Sequence, residues 1–176
     1  DQVTGLPVSE IFVSIQGEGA DVGTPTTFVR LWGCNLTCSW CDTKYTWQTR
    51  HYEEMPLGEI LERALAPGIP WVSITGGEPL IHPDGALLKL VLGLRQAGRR
   101  VNLESNATRF PRRLYRHVDR FSLSPKFGSS GQDACDQQVV DTYLSLVRPQ
   151  RLQFKFVIAE AEDLEQLLPL LEASPL

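Results

Sequence analysis

The sequence lacks any long apolar run. Nothing in its 176 residues resembles a membrane-spanning helix or a secretory leader. It also lacks a basic excess. There are 17 Lys and Arg against 21 Asp and Glu, a net charge of −4. That balance argues against a protein whose main task is gripping nucleic acid, which needs clustered positive charge. The pairs Arg99-Arg100 and Arg112-Arg113 are too short for such a surface and read as solvated charge. Only 4 cysteines are present. They do not make a disulfide framework in a chain of this size, and three are bunched too tightly for ordinary bridges. A reducing, cytoplasmic setting fits that usage. Internal repeats and low-complexity tracts are absent too.

What is present is a composition of 42% hydrophobic and 22% charged residues, suited to one globular domain over residues 1–176 with a real core. Asp1 rather than Met opens the chain, so its natural start is expected to be missing. Strand-like runs alternate with helical patterns. Strands are predicted over Glu10–Ile15, Thr27–Trp32, Trp71–Ile74, Arg100–Glu104, Arg120–Leu123 and Leu152–Ile158. Helices are predicted over Leu57–Leu65, Asp84–Ala97 and Asp136–Val147, and a last one begins over Leu164–Leu171. Such alternation predicts an α/β fold of βαβ units around a parallel sheet. About six strands are too few for the eight of a closed (β/α) barrel, so a partial, open barrel is expected.

In such sheets ligands bind at the carboxyl ends of the strands. The polar islands of this chain fall there. A cysteine loop follows Trp32, Gly76-Gly77-Glu78 follows Ile74, Glu104-Ser105-Asn106 follows Leu103, and Ser124-Pro125-Lys126 follows Leu123. Four islands therefore converge on one rim.

The cysteine loop carries Cys34, Cys38 and Cys41, spaced Cys-x3-Cys-x2-Cys. Three thiolates in so short a segment can hold a four-iron cluster and leave one iron without a protein ligand, and open metal positions are where chemistry takes place. The vacant iron can chelate a small molecule through amino and carboxylate groups. Structural zinc is the alternative, but it normally takes four protein ligands. No fourth is obvious: His51 is distant and Asp42 is a hard donor. Cys135 stands apart and reads as a structurally neutral thiol.

The other islands carry polar chemistry. Gly76-Gly77 leaves backbone amides and carbonyls open to a ligand, and Glu78 can accept from an ammonium group. Gln16 and Glu18, in Gln16-Gly17-Glu18-Gly19, can pair with a polar heterocycle. Arg30 can clamp a carboxylate through two bonds, although strand arginines are more often solvated edge residues. Asp42 and Thr43 follow the last cysteine, where a hydroxyl oxygen can join a hard cation such as magnesium. Ordinary turn hydrogen bonds explain the same residues. Trp32, Trp40, Tyr45 and Trp47 crowd the loop and can shield a cluster from water, with Trp47 reading as ordinary core packing.

The cysteine spacing followed by Thr75-Gly76-Gly77-Glu78-Pro79 resembles the radical S-adenosylmethionine (SAM) enzymes. Ser14-Ile15-Gln16-Gly17-Glu18-Gly19, Arg30, Cys41-Asp42-Thr43 and Ser124-Pro125-Lys126 narrow the resemblance to the 7-carboxy-7-deazaguanine synthases. It spans nearly the whole chain. It implies a lyase on the route to queuosine and related deazapurines, with a 4Fe-4S cluster, SAM and Mg2+ as cofactors. A 5′-deoxyadenosyl radical would take hydrogen from 6-carboxy-5,6,7,8-tetrahydropterin, whose ring contracts with loss of ammonia.

By the same resemblance, Cys34, Cys38 and Cys41 ligate the cluster and Thr43 contacts magnesium. Trp40, Cys41, Asp42, Gly77, Ser105, Ser124, Pro125 and Lys126 hold SAM. Ile15, Gln16, Gly17, Glu18, Arg30 and Thr75 hold the pterin. A homodimer is implied, fed by an electron donor such as flavodoxin or ferredoxin, with no direct nucleic-acid or membrane partner. The family pattern continues past Leu176 with another strand and a closing tail, so a C-terminal segment is expected to be missing. Glu104-Ser105-Asn106-Ala107-Thr108 follows the superfamily's Glu-Thr-Asn-Gly-Thr only loosely. A glycyl-radical activase shares the cysteine spacing and is the alternative within enzymes, but it has no need for Gln16-Gly17-Glu18 with Arg30.

Overall fold

The computed structural model describes residues 4–132 and 134–173. The two chain ends, where sequence reasoning predicts missing segments, lie outside the described residues. The strands are β1 (Gly5–Ile15), β2 (Pro25–Leu31), β3 (Glu53–Pro56), β4 (Trp71–Gly76), β5 (Arg100–Ser105), β6 (Arg120–Leu123) and β7 (Leu152–Phe154). The helices are α1 (Tyr45–Gln48), α2 (Leu57–Leu65), α3 (Asp84–Gln96), α4 (Gln137–Leu146) and α5 (Ala161–Ala173).

One sheet contains the strands in the order β3-β1-β2-β4-β5-β6-β7. From β2 to β7 every pairing is parallel, and β1 pairs antiparallel with both β2 and β3. The fold is thus the expected open α/β barrel with an antiparallel extension at one side. β3 escapes sequence reading because Glu53-Glu54-Met55-Pro56 is short and charged and carries one buried side chain, Met55. Those are traits of an edge strand. α1 is a single turn, too short to show a period. β7 stops at Phe154 rather than at Ile158 because its neighbour β6 ends at Leu123.

Period-two alternation gives each central strand two different faces. Val29, Leu31, Val72, Ile74, Val101, Leu103, Phe121 and Leu123 point one way and form the main core with Leu87, Leu90, Val91 and Leu94 of α3. Ser73, Thr75, Asn102, Glu104 and Ser122 point the other way, into the barrel. There they are joined side chain to side chain: Ser122 Oγ donates to Asn102 Oδ1 (2.9 Å), and Asn102 Nδ2 donates to Ser73 Oγ (2.9 Å). A polar interior is tolerable only when its groups satisfy one another or a ligand.

Two smaller features close the fold. Asp136 caps α4 by accepting from the amides of Gln138 and Val139, the usual service of an N-cap aspartate. Phe127, Val140 and Leu170 form a second cluster that Cys135 packs against.

Leu103 is fully buried between sheet and helices. Leu103→Ala is expected to lower unfolding free energy by about 2–5 kcal/mol, read as a lower denaturation midpoint with an unchanged denaturant slope.

Candidate active site

A cleft of about 670 Å³ opens at the carboxyl ends of the parallel strands, within the size range of small-molecule sites. All four polar islands reach it. Its walls include Cys34, Cys38 and Cys41 from the loop after β2, Gly76 and Gly77 after β4, and Glu104, Ser105 and Asn106 at β5. Ser124 and Lys126 follow β6 at the same rim.

The cysteine loop has almost no secondary structure and is held by its ends and by neighbours. Gly33 N donates to Thr46 O (2.6 Å), and Ser39 N donates to Ser130 O (2.9 Å). Asn106 Nδ2 donates to Asn35 Oδ1 (3.0 Å), while Asn35 Nδ2 donates to Thr108 Oγ1 (2.9 Å). The decisive anchor is backbone on backbone. Gly77 N donates to Leu31 O (3.1 Å) and Glu78 N to Gly33 O (2.8 Å). A Cβ on Gly77 would lie 2.1 Å from Gly33 O and 3.1 Å from Cys34 Cβ. This glycine is needed for the close approach of two chain segments, a reason the sequence does not reveal, and it also lines the cleft.

Glu78 also differs from expectation. It is fully buried rather than open to an ammonium group. Its carboxylate accepts from Leu80 N (2.9 Å), Ser105 Oγ (2.9 Å) and Asn106 N (2.6 Å), tying the β4 loop to the β5 loop. Burial pushes its pKa up, and these hydrogen bonds pull against that rise. Ser105 spends its hydroxyl proton in the same knot.

The sulfurs are set for an iron–sulfur group. Leu36 N donates to Cys34 Sγ (3.4 Å) and Trp47 Nε1 to Cys41 Sγ (3.5 Å), with Thr43 Oγ1 3.7 Å from the same sulfur. Trp47 therefore does more than the packing expected of it, since hydrogen bonds to sulfur tune a cluster. In the absence of metal, burial raises the Cys34 thiol to about 11 and also raises that of Cys38. Among the described residues, no three His, Cys, Asp or Glu side chains converge as ligands of a single ion. The donor set of three thiols fits a cluster that spans them better than one zinc ion. Trp40 Nε1 is buried without a hydrogen-bond partner, and Lys126 Nζ sits 5.2 Å from the centroid of the Trp40 ring. Burial lowers the Lys126 pKa. With Asp42 and Gly77, these two side chains line the part of the cleft beside the cysteines.

The far wall is polar and pre-ordered. Glu104 Oε1 accepts from Gln16 Nε2 (2.9 Å) and Ser73 Oγ (2.9 Å), and Oε2 accepts from Thr75 Oγ1 (2.8 Å). Sequence reasoning located the Glu104 island but missed the carboxylate itself as a site residue. Its strand parity, with Asn102 on the same face, was the available signal. Arg30 Nε donates to Glu10 Oε1 (2.8 Å), and the Tyr45 hydroxyl donates to the same oxygen (2.5 Å). The terminal nitrogens of Arg30 are left for a ligand, and the side chain lines the cleft. Burial and the bond to Glu10 raise the Tyr45 phenol to about 12. Gly17 and Glu18 also line the cleft, whereas Ile15 is exposed outside it and Pro125 is buried behind it.

Fold and donor set together define a radical SAM protein, and comparison with known proteins agrees. The Radical SAM superfamily model matches residues 32–148. The 7-carboxy-7-deazaguanine synthase of Pyrobaculum aerophilum is 40% identical over 162 residues, covering 91% of this chain and 70% of the relative. The enzyme of the same name from Synechocystis sp. is 35% identical, covering 90% of this chain and 68% of the relative. The crystal structure of QueE from Escherichia coli superposes with a TM-score of 0.75 at 28% identity, covering 95% of this chain and 76% of that one. The chain belongs to the 7-carboxy-7-deazaguanine synthase family of the radical SAM superfamily, which sets aside the glycyl-radical activase and the structural-zinc alternative. A 4Fe-4S cluster and SAM are the cofactors of that superfamily.

Gly77→Ala forces the Cys34 segment away from β4. Iron and sulfide per chain after anaerobic reconstitution are expected to fall well below wild type while the far-UV spectrum is kept. Unchanged iron content would show that the contact is not needed for assembly.

Proposed function

We propose that the protein converts 6-carboxy-5,6,7,8-tetrahydropterin to 7-carboxy-7-deazaguanine with loss of ammonia, a step toward queuosine and related deazapurines. One observation carries the reading. The thiol loop and a wall of polar side chains (Gln16, Arg30, Thr75 and Glu104) share a single cleft.

When bound, the reduced cluster and SAM supply one-electron cleavage and hydrogen-atom abstraction. The chain supplies orientation and exclusion of water. Cys34, Cys38 and Cys41 hold the iron. Trp40, Asp42, Gly77, Ser124 and Lys126 flank SAM. Glu104 and Gln16 offer acceptor oxygens to the N–H edge of the pterin, and Arg30 pairs its carboxylate through the nitrogens that Glu10 leaves open. Thr43 would contribute a hydroxyl to a magnesium ion. Flavodoxin or ferredoxin supplies electrons, and the enzyme works in the cytoplasm as a homodimer. Among the described residues, no helix is long and apolar enough to cross a membrane.

The direct test is anaerobic incubation of reconstituted protein with the pterin, SAM and a reductant, followed by mass analysis. A new nucleobase of the mass of 7-carboxy-7-deazaguanine is the expected result; consumption of SAM with the pterin recovered intact would sink the assignment. Arg30→Ala is expected to raise the KM for pterin roughly ten-fold or more, as loss of a charge-assisted contact does. Uncoupled SAM cleavage should persist. An unchanged KM would remove Arg30 from substrate binding. Glu104→Gln places an amide N–H₂ where donors now converge, and should raise the same KM about ten-fold with SAM binding intact.

A further inference from the structure

The open side of this barrel is closed by side chains. β1 and β7 lie far apart in the sheet order, yet the segment after β1 crosses the mouth of the cleft to reach β5, β6 and β7. Its base continues the β1–β2 ladder: Gln16 N donates to Thr24 O (2.8 Å) and Gly23 N to Gln16 O (2.8 Å). From there Gln16 bonds to Glu104 of β5, Asp21 pairs with Arg120 Nε of β6 (3.1 Å), and Glu18 pairs with Lys155 just past β7. At the tip, Ala20 N donates to Gln153 Oε1 of β7 (2.6 Å).

Gln153 is the centre of this closure. The side-chain amide is oriented by its neighbours: a backbone N–H on one side demands the oxygen, so the nitrogen faces Ser122 Oγ and donates to it. The fit is tight. Gly19 has φ +69°, and a Cβ there would fall 2.5–2.7 Å from the Gln153 amide. From Ala20 inward the bonds run in one direction. Ala20 N–H donates to Gln153, Gln153 to Ser122, Ser122 to Asn102, Asn102 to Ser73, and Ser73 to the Glu104 carboxylate. Gln16 closes the circuit by donating to the same carboxylate. Donors aligned head to tail polarise one another, so the chain is strongest when it ends on an anion.

We propose that Gln153 is a positioning residue for the substrate-binding segment Gln16–Glu18, holding its tip across the cleft and aligning the hydrogen-bond circuit that ends at Glu104. The inference rests on the reading of Gln16, Glu18 and Glu104 as pterin-binding groups. Gln153 itself acts through Ala20 and Ser122.

Two near-isosteric variants test it in the cluster-loaded enzyme. Gln153→Met keeps the bulk and loses both hydrogen bonds, whereas Gln153→Glu keeps an acceptor for Ala20 N–H. Amide hydrogen exchange at residues 18–22 and steady-state kinetics are read side by side. In the Met variant, exchange at Ala20 is expected to quicken about ten-fold and the pterin KM to rise about five- to ten-fold. Its kcat should stay within about two-fold and its KM for SAM should not move. The Glu variant should keep the Ala20 protection but, with no proton to donate to Ser122 Oγ, should show a smaller rise in pterin KM than the Met variant, about two- to five-fold. Unchanged exchange and KM in the Met variant would overturn the proposal. So would a general loss that raised the KM for SAM and lowered kcat together, the mark of a merely structural residue. Were the wild-type enzyme to leave the pterin untouched while Ala20 protection still depended on Gln153, the substrate reading would fail and the clamp would stand.

Discussion

The contact of Gly77 with the Gly33-Cys34 backbone is the constraint on which the site depends. Two parallel strands end side by side, with Leu31 paired to Gly76, and the chain leaves each in a different direction. One exit carries Cys34, and the other carries the Gly77-Glu78 turn at the same cleft. With no Cβ between them, the two exits lie close enough for Glu78 N to bond Gly33 O. A loop of eight residues from Cys34 to Cys41, with almost no secondary structure of its own, therefore inherits the rigidity of the sheet. Preorganisation of this kind lets a site built on loops hold its geometry.

Two carboxylates divide the polar work at the strand ends. Glu78 is sealed from solvent and accepts three hydrogen bonds, so it acts as a rivet between the β4 and β5 loops. Glu104 faces the cleft, ringed by Gln16, Ser73 and Thr75. Both stand near the carboxyl ends of strands of similar character, and residue type alone does not distinguish them. Their roles differ because one lies beyond the end of its strand and folds back into the core. The other lies within its strand, on the face that looks into the barrel.

Much of this was legible beforehand. The βα alternation located β2, β4, β5 and β6 to within a residue or two, because their buried apolar positions are dense and bounded by turn residues. The polar islands mark the functional rim, since the carboxyl ends of parallel strands are where loops can carry chemistry. β3, the antiparallel direction of β1 and the early end of β7 were not legible. An edge strand pairs through its backbone and leaves little trace in side-chain periodicity.

By itself the sequence determined the donor types and their spacing: three thiolates in one loop, an arginine inside a strand and a Gln-Gly-Glu segment after the first strand. Those are properties of residue identity and local order, and they sufficed to name the chemistry. Only the tertiary structure decided which groups meet. It made Gly77 a packing joint as well as part of the cleft wall, and Glu78, expected to accept from an ammonium group, a rivet. It also brought Gln153, more than a hundred residues along the chain, onto the backbone of Ala20. Those assignments depend on distances between segments remote in sequence, which pairing register and close approach set and local residue pattern does not encode.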